Sequence, residues 1–545
     1  MTTYSPPVSE MVFLLEHVTG FRDLPQAEEL DIETVEAILE EAAKLARDEI
    51  APLSKKADAF GARLENGNVI TAPGFKEAYA QYREGGWNAV PFPEEYGGQN
   101  LPWALAFPVQ EMWQGSNLSF GLCPLLTQGA IEAIYSHGSE EQKEFYLPKL
   151  VSGEWAGTMN LTEPQAGSDL SAVKTRAEPQ EEGTYRVFGQ KIFITYGEHD
   201  MAENIIHLVL ARLPDAPEGV KGISLFIVPK FLEDGTRNDV ICTGLEHKLG
   251  IHASPTCTMQ YGDQGGAIGY LVGEAHQGLK YMFTMMNNAR LSVGLQGVAI
   301  AEHALQDAAA YAAERVQGKD LESGEAVTID QHPDVRRMLQ TMEALVKAGR
   351  GMAYEAAVLL DNAAAGNDAA KVQVDIMTPI VKSWCTDMAC EVASTGMQVH
   401  GGMGFIEETG VARHYRDARI LPIYEGTNGI QANDLVFRKI MRDKGAGLDL
   451  FYAGIKGILS DVSCTKSTLE ICSQVFEALK KEQDAEKLAY ISMPLLNGLG
   501  YLKGAEMMAR MKDASEEYIS ICDFYLKNIL PRAEMNLKLV LNNLA

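Results

Sequence analysis

Apolar side chains recur along this chain in two rhythms, and the change of rhythm divides it. Over Asp31–Glu49, residues Val35, Ile38, Leu39, Ala42 and Leu45 fall on one face of a 3.6-residue helix. Helical spacing returns over Pro73–Glu84 and again over Pro102–Leu150, with Leu122, Leu125, Leu126 and Ala130. From Tyr185 to Tyr270 the period drops to two. Tyr185 and Val187 alternate with polar residues, as do Ile192 and Ile194, while Ile205–Leu210 and Ile223–Val228 are short β-branched runs bounded by turn residues. No helical stretch separates these runs, so the pattern predicts an inserted sheet or barrel and excludes a βαβ succession. Helical spacing resumes at Gly278, through Leu291, Leu295, Val298 and Leu305, and continues over Pro333–Ala365 and Ala369–Gly396. The last hundred residues repeat it, with Tyr518, Ile521, Cys522, Tyr525, Leu526 and Ile529 on one stripe. The predicted class is mainly α with a β insertion. Its parts are an arm (1–35), a helical domain (36–158), a β domain (159–276), a helical bundle (277–444) and a helical extension (445–545).

A length of 545 residues matches this division, at about 150 residues per domain. The net charge of −27 argues against a nucleic-acid or anionic-membrane surface over most of the chain, while leaving room for a local basic site. Met11–Val18 is apolar but too short and acidic for a secretory signal, and no 18-residue apolar run predicts a membrane span. The eight cysteines lack zinc spacing, which predicts reduced, mostly buried thiols, a cytoplasmic location and no metal site.

Five stretches carry candidate chemistry. In Ile423-Tyr424-Glu425-Gly426-Thr427-Asn428-Gly429, a carboxylate stands on a turn before a helical pattern running from Ile430 to Arg442, and Thr427 or Asn428 can cap that helix. A glutamate there can serve as a general base with a backbone donor at hand. Met159–Asp169 brings hydroxyls at Thr162 and Ser168 together with a glycine-containing backbone. In Lys191-Ile192-Phe193-Ile194-Thr195, strict alternation places Lys191, Phe193 and Thr195 on one face, an aromatic beside a hydroxyl. Asn287-Asn288-Ala289-Arg290 opens a long helix that ends near Arg315, and either arginine can fork a phosphate. The segment Gln398–Phe405 is glycine-rich, so a ligand can approach its backbone closely; His400 within it has no metal-spaced partner.

Leu161-Thr-Glu-Pro-Gln-Ala-Gly-Ser-Asp169, the glycine loop Gln398–Phe405 and Tyr424-Glu-Gly-Thr427, in this order, resemble the acyl-CoA dehydrogenases over roughly Asp31 to Lys444. The C-terminal helices and Tyr424–Gln431 look like one subgroup of that family, typified by dehydrogenases of 3-methylmercaptopropionyl-CoA. The resemblance implies a helical domain, a β-barrel or sheet domain, a four-helix bundle and an extra helical domain, with FAD as cofactor. It implies that Glu425 removes the α-proton of an acyl-CoA while its own N–H bonds the thioester oxygen. Thr162 and Thr195 would contact the flavin, Phe193 would lie against it, and Thr427 would also touch the cofactor. Ser168, Asn287 and Arg290 would line the CoA path, and Arg315, Gln398 and Gly402 would hold FAD phosphates across a subunit contact. The sequence departs from the family where Phe193 replaces the common Trp, where Gly429 replaces the common Gln, and where Val-Gln-Gly follows Arg315. The expected partners are an acyl-CoA of the 3-methylmercaptopropionyl or short to medium fatty type, an electron-transfer flavoprotein and a second copy, with a dimer favoured.

Two rival activities remain on the same fold. An oxidase would pass electrons to dioxygen; the chain ends Asn-Asn-Leu-Ala, without a Ser-Lys-Leu address. A DNA-binding flavoprotein needs a strongly basic C-terminal unit, whereas Glu516-Glu517 and Glu482-Gln-Asp484 intersperse the lysines here.

Overall fold

The computed structural model describes residues 4–181 and 183–544. Contacts gather the chain into two compact units: residues 44–101 with 116–289, and residues 1–43 and 102–115 with 290–545.

The first unit is built on an eight-stranded sheet: β1 (Trp155–Asn160), β2 (Arg176–Pro179), β3 (Tyr185–Thr195), β4 (Asn204–Arg212), β5 (Ile223–Pro229), β6 (Val240–Leu245), β7 (Thr256–Tyr261) and β8 (Ala267–Leu271). Neighbours run β8-β5-β4-β2-β3-β7-β6, and β8 also pairs with β3, which closes part of the sheet into a barrel. Strand β1 lies parallel to β4, from Trp155↔Asn204 to Asn160↔Val209. Val187, Ile194, Val209, Phe226, Val228, Cys257, Met259 and Tyr261 fill the interior. The apolar run in β4 is buried throughout, as a strand with neighbours on both edges and apolar residues on both faces requires. Helix Leu118–His137 packs on β1. Its start is fixed by Asn117, whose side chain accepts from the Phe120 N–H at 3.2 Å. The region read as wholly helical also carries a short hairpin, Arg63–Glu65 with Asn68–Ile70.

Strict alternation fails in β3. Its pairing with β7 shifts register between Lys191 and Ile194, and Phe193 takes a positive φ of 60°. This bulge buries Lys191 and leaves Phe193 57% exposed, so the two do not share a face.

The second unit is helical. The pair Pro333–Ala364 and Asp368–Val399 packs together, joined by the Arg290–Glu314 part of the long helix Gly278–Glu314 and by Ala485–Ala514. A Cβ on Gly297 would stand 2.4 Å from the Cys385 carbonyl, so only glycine permits this approach between helices. Arg350, fully buried, reaches Glu111 at 2.8 Å and Glu302 at 2.7 Å and also pairs with Glu10. The first helix, Val8–His17, packs on residues near the chain's other end: Phe13 stacks on Tyr518 at 4.6 Å, and Arg510 donates to the Val18 carbonyl at 3.3 Å. The extension therefore shares one unit with the bundle. Beyond Arg315 the chain forms a small hairpin, Val316–Lys319 with Ala326–Thr328. Among the described residues no helix is long and apolar enough to cross a membrane.

Candidate active site

Glu425 sits at the centre of a strained turn in the helical unit. Its φ is +55° and that of Gly426 is +83°. A non-glycine residue in this region costs about 1–3 kcal/mol, so the surrounding structure must hold it there. Three side chains do so. Gln431 donates to the carbonyls of Glu425 at 3.0 Å and Gly426 at 3.3 Å. The ammonium of Lys382, on helix Asp368–Val399, donates to the Gly426 carbonyl at 2.8 Å and to Asn428 Oδ1 at 2.9 Å. Asn428 in turn donates to Asp387 at 2.9 Å and to the Ser383 carbonyl at 3.2 Å. Thr427 accepts from the Ile430 N–H at 3.3 Å and so caps helix Asn428–Asn433. That helix is shorter than the sequence pattern predicts: from Asp434 to Ile440 the winding is π-helical. The wider turns place Asp434 where it meets Arg290 at 3.3 Å and Arg438 at 3.2 Å.

The electrostatics follow from this packing. Burial pushes the Glu425 carboxyl up to about 7, against the pull of Arg290 and Lys382. Burial likewise pushes the Lys382 ammonium down to about 7, although Glu425 and Asp387 pull it up. Arg290, a surface or CoA-path residue by sequence, is buried beside the turn, and a Cβ on Gly426 would lie 3.9 Å from its Nη2. Among the described residues no acceptor meets the Glu425 N–H, which leaves a donor next to the carboxylate.

The sheet unit presents a second group. Strand β3 ties to the Leu161–Asp169 loop through Ile192 N–H to the Thr162 carbonyl, 2.9 Å. Below this contact Lys191 donates to the Leu161 carbonyl at 2.9 Å and to Glu163 at 2.8 Å. Glu163 also accepts from Thr175 Oγ1 at 2.6 Å and from the Lys174 N–H at 2.8 Å. Although burial pushes its carboxyl up, Lys191 holds it below its ordinary value. Thr162 and Thr195 are half-buried and Phe193 is exposed, as are Ser168 and Asn287. In the same unit the half-buried Glu132 is pushed up to about 8 by burial, against a hydrogen bond from Asn288.

Arg315, Gln398, Gly401 and Gly402 are exposed in the helical unit. Tyr311, one turn before Arg315, stacks on His400 at 4.4 Å, which brings the end of the long helix beside the glycine loop. His400 is thus structural, as its isolation in the sequence implies. Open space surrounds the Cα atoms of Gly401 and Gly402. Among the described residues, the ligand atoms of His303, Asp307 and His414 lie within 4.8 Å of one another, as a metal site would require. His414 meets Asp307 at 3.0 Å and His303 Nδ1 bonds to the Gly115 carbonyl at 2.8 Å, so this buried group also serves as a hydrogen-bonded tie between helices.

Three family models match the chain: the acyl-CoA dehydrogenase N-terminal domain over residues 32–154, the middle domain over 158–263 and the C-terminal domain over 276–439. The 3-methylmercaptopropionyl-CoA dehydrogenase of Ruegeria pomeroyi is 53% identical over 460 residues, covering 81% of this chain and 77% of its own. The chain belongs to the acyl-CoA dehydrogenase family. Butyryl-CoA dehydrogenase from Megasphaera elsdenii superposes with a TM-score of 0.62 at 30% identity, over 73% of this chain and 95% of that one. ACDH-11 of Caenorhabditis elegans shares the fold at a TM-score of 0.80 and 21% identity, covering 97% of this chain and 92% of its own. The extra helices beyond the bundle therefore have a counterpart in the fold of that structure. As a member of the family the chain is an FAD-dependent oxidoreductase acting on a CH–CH group. The residues present fit such a cofactor. An exposed aromatic ring on a bulge offers a flat apolar surface, and the half-buried Thr162 and Thr195 in the same unit offer hydroxyls. The open glycine backbone beside Arg315 offers room and positive charge for phosphates.

Sequence reasoning missed Lys382, Gln431 and Asp434. Lys382 left a trace, a single charge inside the apolar run Ile380-Val381-Lys382-Ser383-Trp384-Cys385. Gln431 and Asp434 look like ordinary helix-surface residues in sequence, yet both are buried.

Proposed function

We propose that Glu425 is the base of this dehydrogenase, removing the α-proton of an acyl-CoA thioester as the 2-enoyl-CoA forms. One observation carries the assignment: the carboxylate stands on a strained, triply anchored turn, beside its own unengaged N–H, with its proton affinity raised by burial to about 7. That affinity suits a base working near neutral pH. The N–H supplies the donor that an oxygen gathering negative charge requires. FAD, when bound, accepts the β-hydride. Phe193, Thr162 and Thr195 hold the flavin ring; Arg315, Gln398, Gly402 and Thr427 serve the rest of the cofactor; Ser168 and Asn287 contact CoA. Arg290 acts from beneath, as the charge under Glu425.

The kinship to the Ruegeria enzyme favours 3-methylmercaptopropionyl-CoA over a short or medium fatty acyl-CoA as substrate. An electron-transfer flavoprotein takes the electrons. A second copy covers the cofactor loops, where Phe405 is 81% and Leu321 84% exposed, as an apolar face awaiting a partner would be. Anaerobic mixing with a panel of acyl-CoA thioesters tests the reading. The flavin is expected to bleach fastest with the 3-methylmercaptopropionyl thioester, and a preparation that no acyl-CoA bleaches overturns it.

A further inference from the structure

Lys382 belongs to no motif, yet it is fully buried and its ammonium spends two donors on the catalytic turn: 2.8 Å to the Gly426 carbonyl and 2.9 Å to Asn428 Oδ1. A lysine is a costly way to supply hydrogen bonds in an apolar helix, because a buried ammonium must be stabilised by nearby negative charge. The charged groups facing it are Glu425, Asp387 and Arg290. Arg290 is engaged by Asp434, and Asp387 accepts from Asn428. Lys382 thus acts on two carboxylates, Asp387 and Glu425, and of these Glu425 has the larger effect on it and stands on the turn that Lys382 anchors. Gln431 also anchors the turn, but as a neutral group it supplies no field.

We propose that Lys382 is a positioning residue for proton abstraction: its buried ammonium pins the Glu425–Gly426 turn through the Gly426 carbonyl and the Asn428 amide, and sets the charge of the Glu425 carboxylate from below. The proposal rests on the reading of Glu425 as the base. It divides the labour of the turn. Gln431 and Asn428 fix its shape, whereas Lys382 fixes its shape and also draws Glu425 toward the ionised form.

The test uses the FAD-loaded protein and two neutral variants. Lys382→Met keeps the length of the side chain and removes charge and donors. Lys382→Gln keeps a donor and removes only the charge, and it gives the same reading should the methionine variant not fold. In either, the acid limb of the rate of flavin reduction is expected to move up by about one pH unit or more, with roughly a tenfold loss of rate near pH 7 and recovery in alkali. Lys382→Arg, which keeps the charge, is expected to hold the limb near its original place. A residue that only stabilised the fold would lower the rate at every pH and leave the limb unmoved, and that result overturns the proposal. Infrared titration gives a readout independent of turnover. The protonated-carboxyl band that vanishes in Glu425→Gln should persist to higher pH in Lys382→Met, and an unshifted band also overturns the proposal. If Glu425→Gln reduces flavin at the wild-type rate, the base lies elsewhere and the functional reading fails; the infrared titration still decides whether Lys382 governs the charge of Glu425.

Discussion

Two buried lysines each support a loop, and they do so with opposite electrical outcomes. Lys191, in the sheet unit, meets the Glu163 carboxylate directly at 2.8 Å. That carboxylate collects further donors from Thr175 and Lys174 and is held below its ordinary proton affinity. Lys382, in the helical unit, spends its donors on a carbonyl and an amide, and the nearby Glu425 is left pushed up to about 7. A carboxylate that has all its hydrogen bonds is stable and inert. One that feels a positive charge but is denied direct contact with it stays reactive. The difference marks which loop is scaffold and which is chemistry.

The largest effect that can break this contrast is at Glu425. Glu425→Gln should retain FAD and acyl-CoA binding but slow flavin reduction by about 10²–10⁴-fold in anaerobic stopped flow. Glu425→Asp, withdrawn by one methylene, should retain a little activity. At the scaffold pair the damage should fall on stability. Lys191→Met strands a buried carboxylate and should cost about 3–5 kcal/mol, read by urea unfolding of the sheet unit. A variant as stable as the parent would show that Glu163 needs no partner.

A smaller effect concerns pH. Flavin reduction should rise with pH through about 7 as Glu425 loses its proton. Stability should move the other way. Between 4.5, the ordinary value, and about 7 the folded protein holds a proton on Glu425 that the unfolded chain has released. Stability from this group is thus full below the lower value and declines as pH rises across the window, by about 1–3 kcal/mol. Melting curves of Glu425→Gln should lack that decline; parallel pH dependences in the two proteins would contradict the raised affinity. The smallest change in stability is Thr427→Ala, which removes the cap and should cost about 1 kcal/mol, read by urea unfolding, with weaker retention of FAD as the second effect.

Much of this was legible in the sequence, because period and motif are local properties. The buried β-branched runs of β4 and β5 and the helical stripe through Tyr525 both lie in the order of residues. What escaped was set by departures from ideal geometry. A bulge in β3 turned Phe193 outward and Lys191 inward, against strict alternation. A π-helical stretch begins at Asp434, where the sequence pattern predicted a continuing α-helix, and Asp434 meets Arg290 there at 3.3 Å. Lys382 was out of reach for another reason, since its partners lie more than forty residues further along the chain.

The first helix has a consequence for how the protein is made. Val8–His17 rests on Arg350, Arg510 and Tyr518, and Arg510 follows Val18 by 492 residues, so part of this helix's packing waits on residues made much later. At the usual 5–20 residues per second that interval is about half a minute or more. Throughout it, the helix carrying the apolar stripe of Met11, Leu14 and Leu15 lacks the part of its packing that Ala485–Ala514 and Tyr518 supply. Synthesis that stops short of the last helices leaves a nascent chain with a sticky end, a natural substrate for chaperones and for quality control.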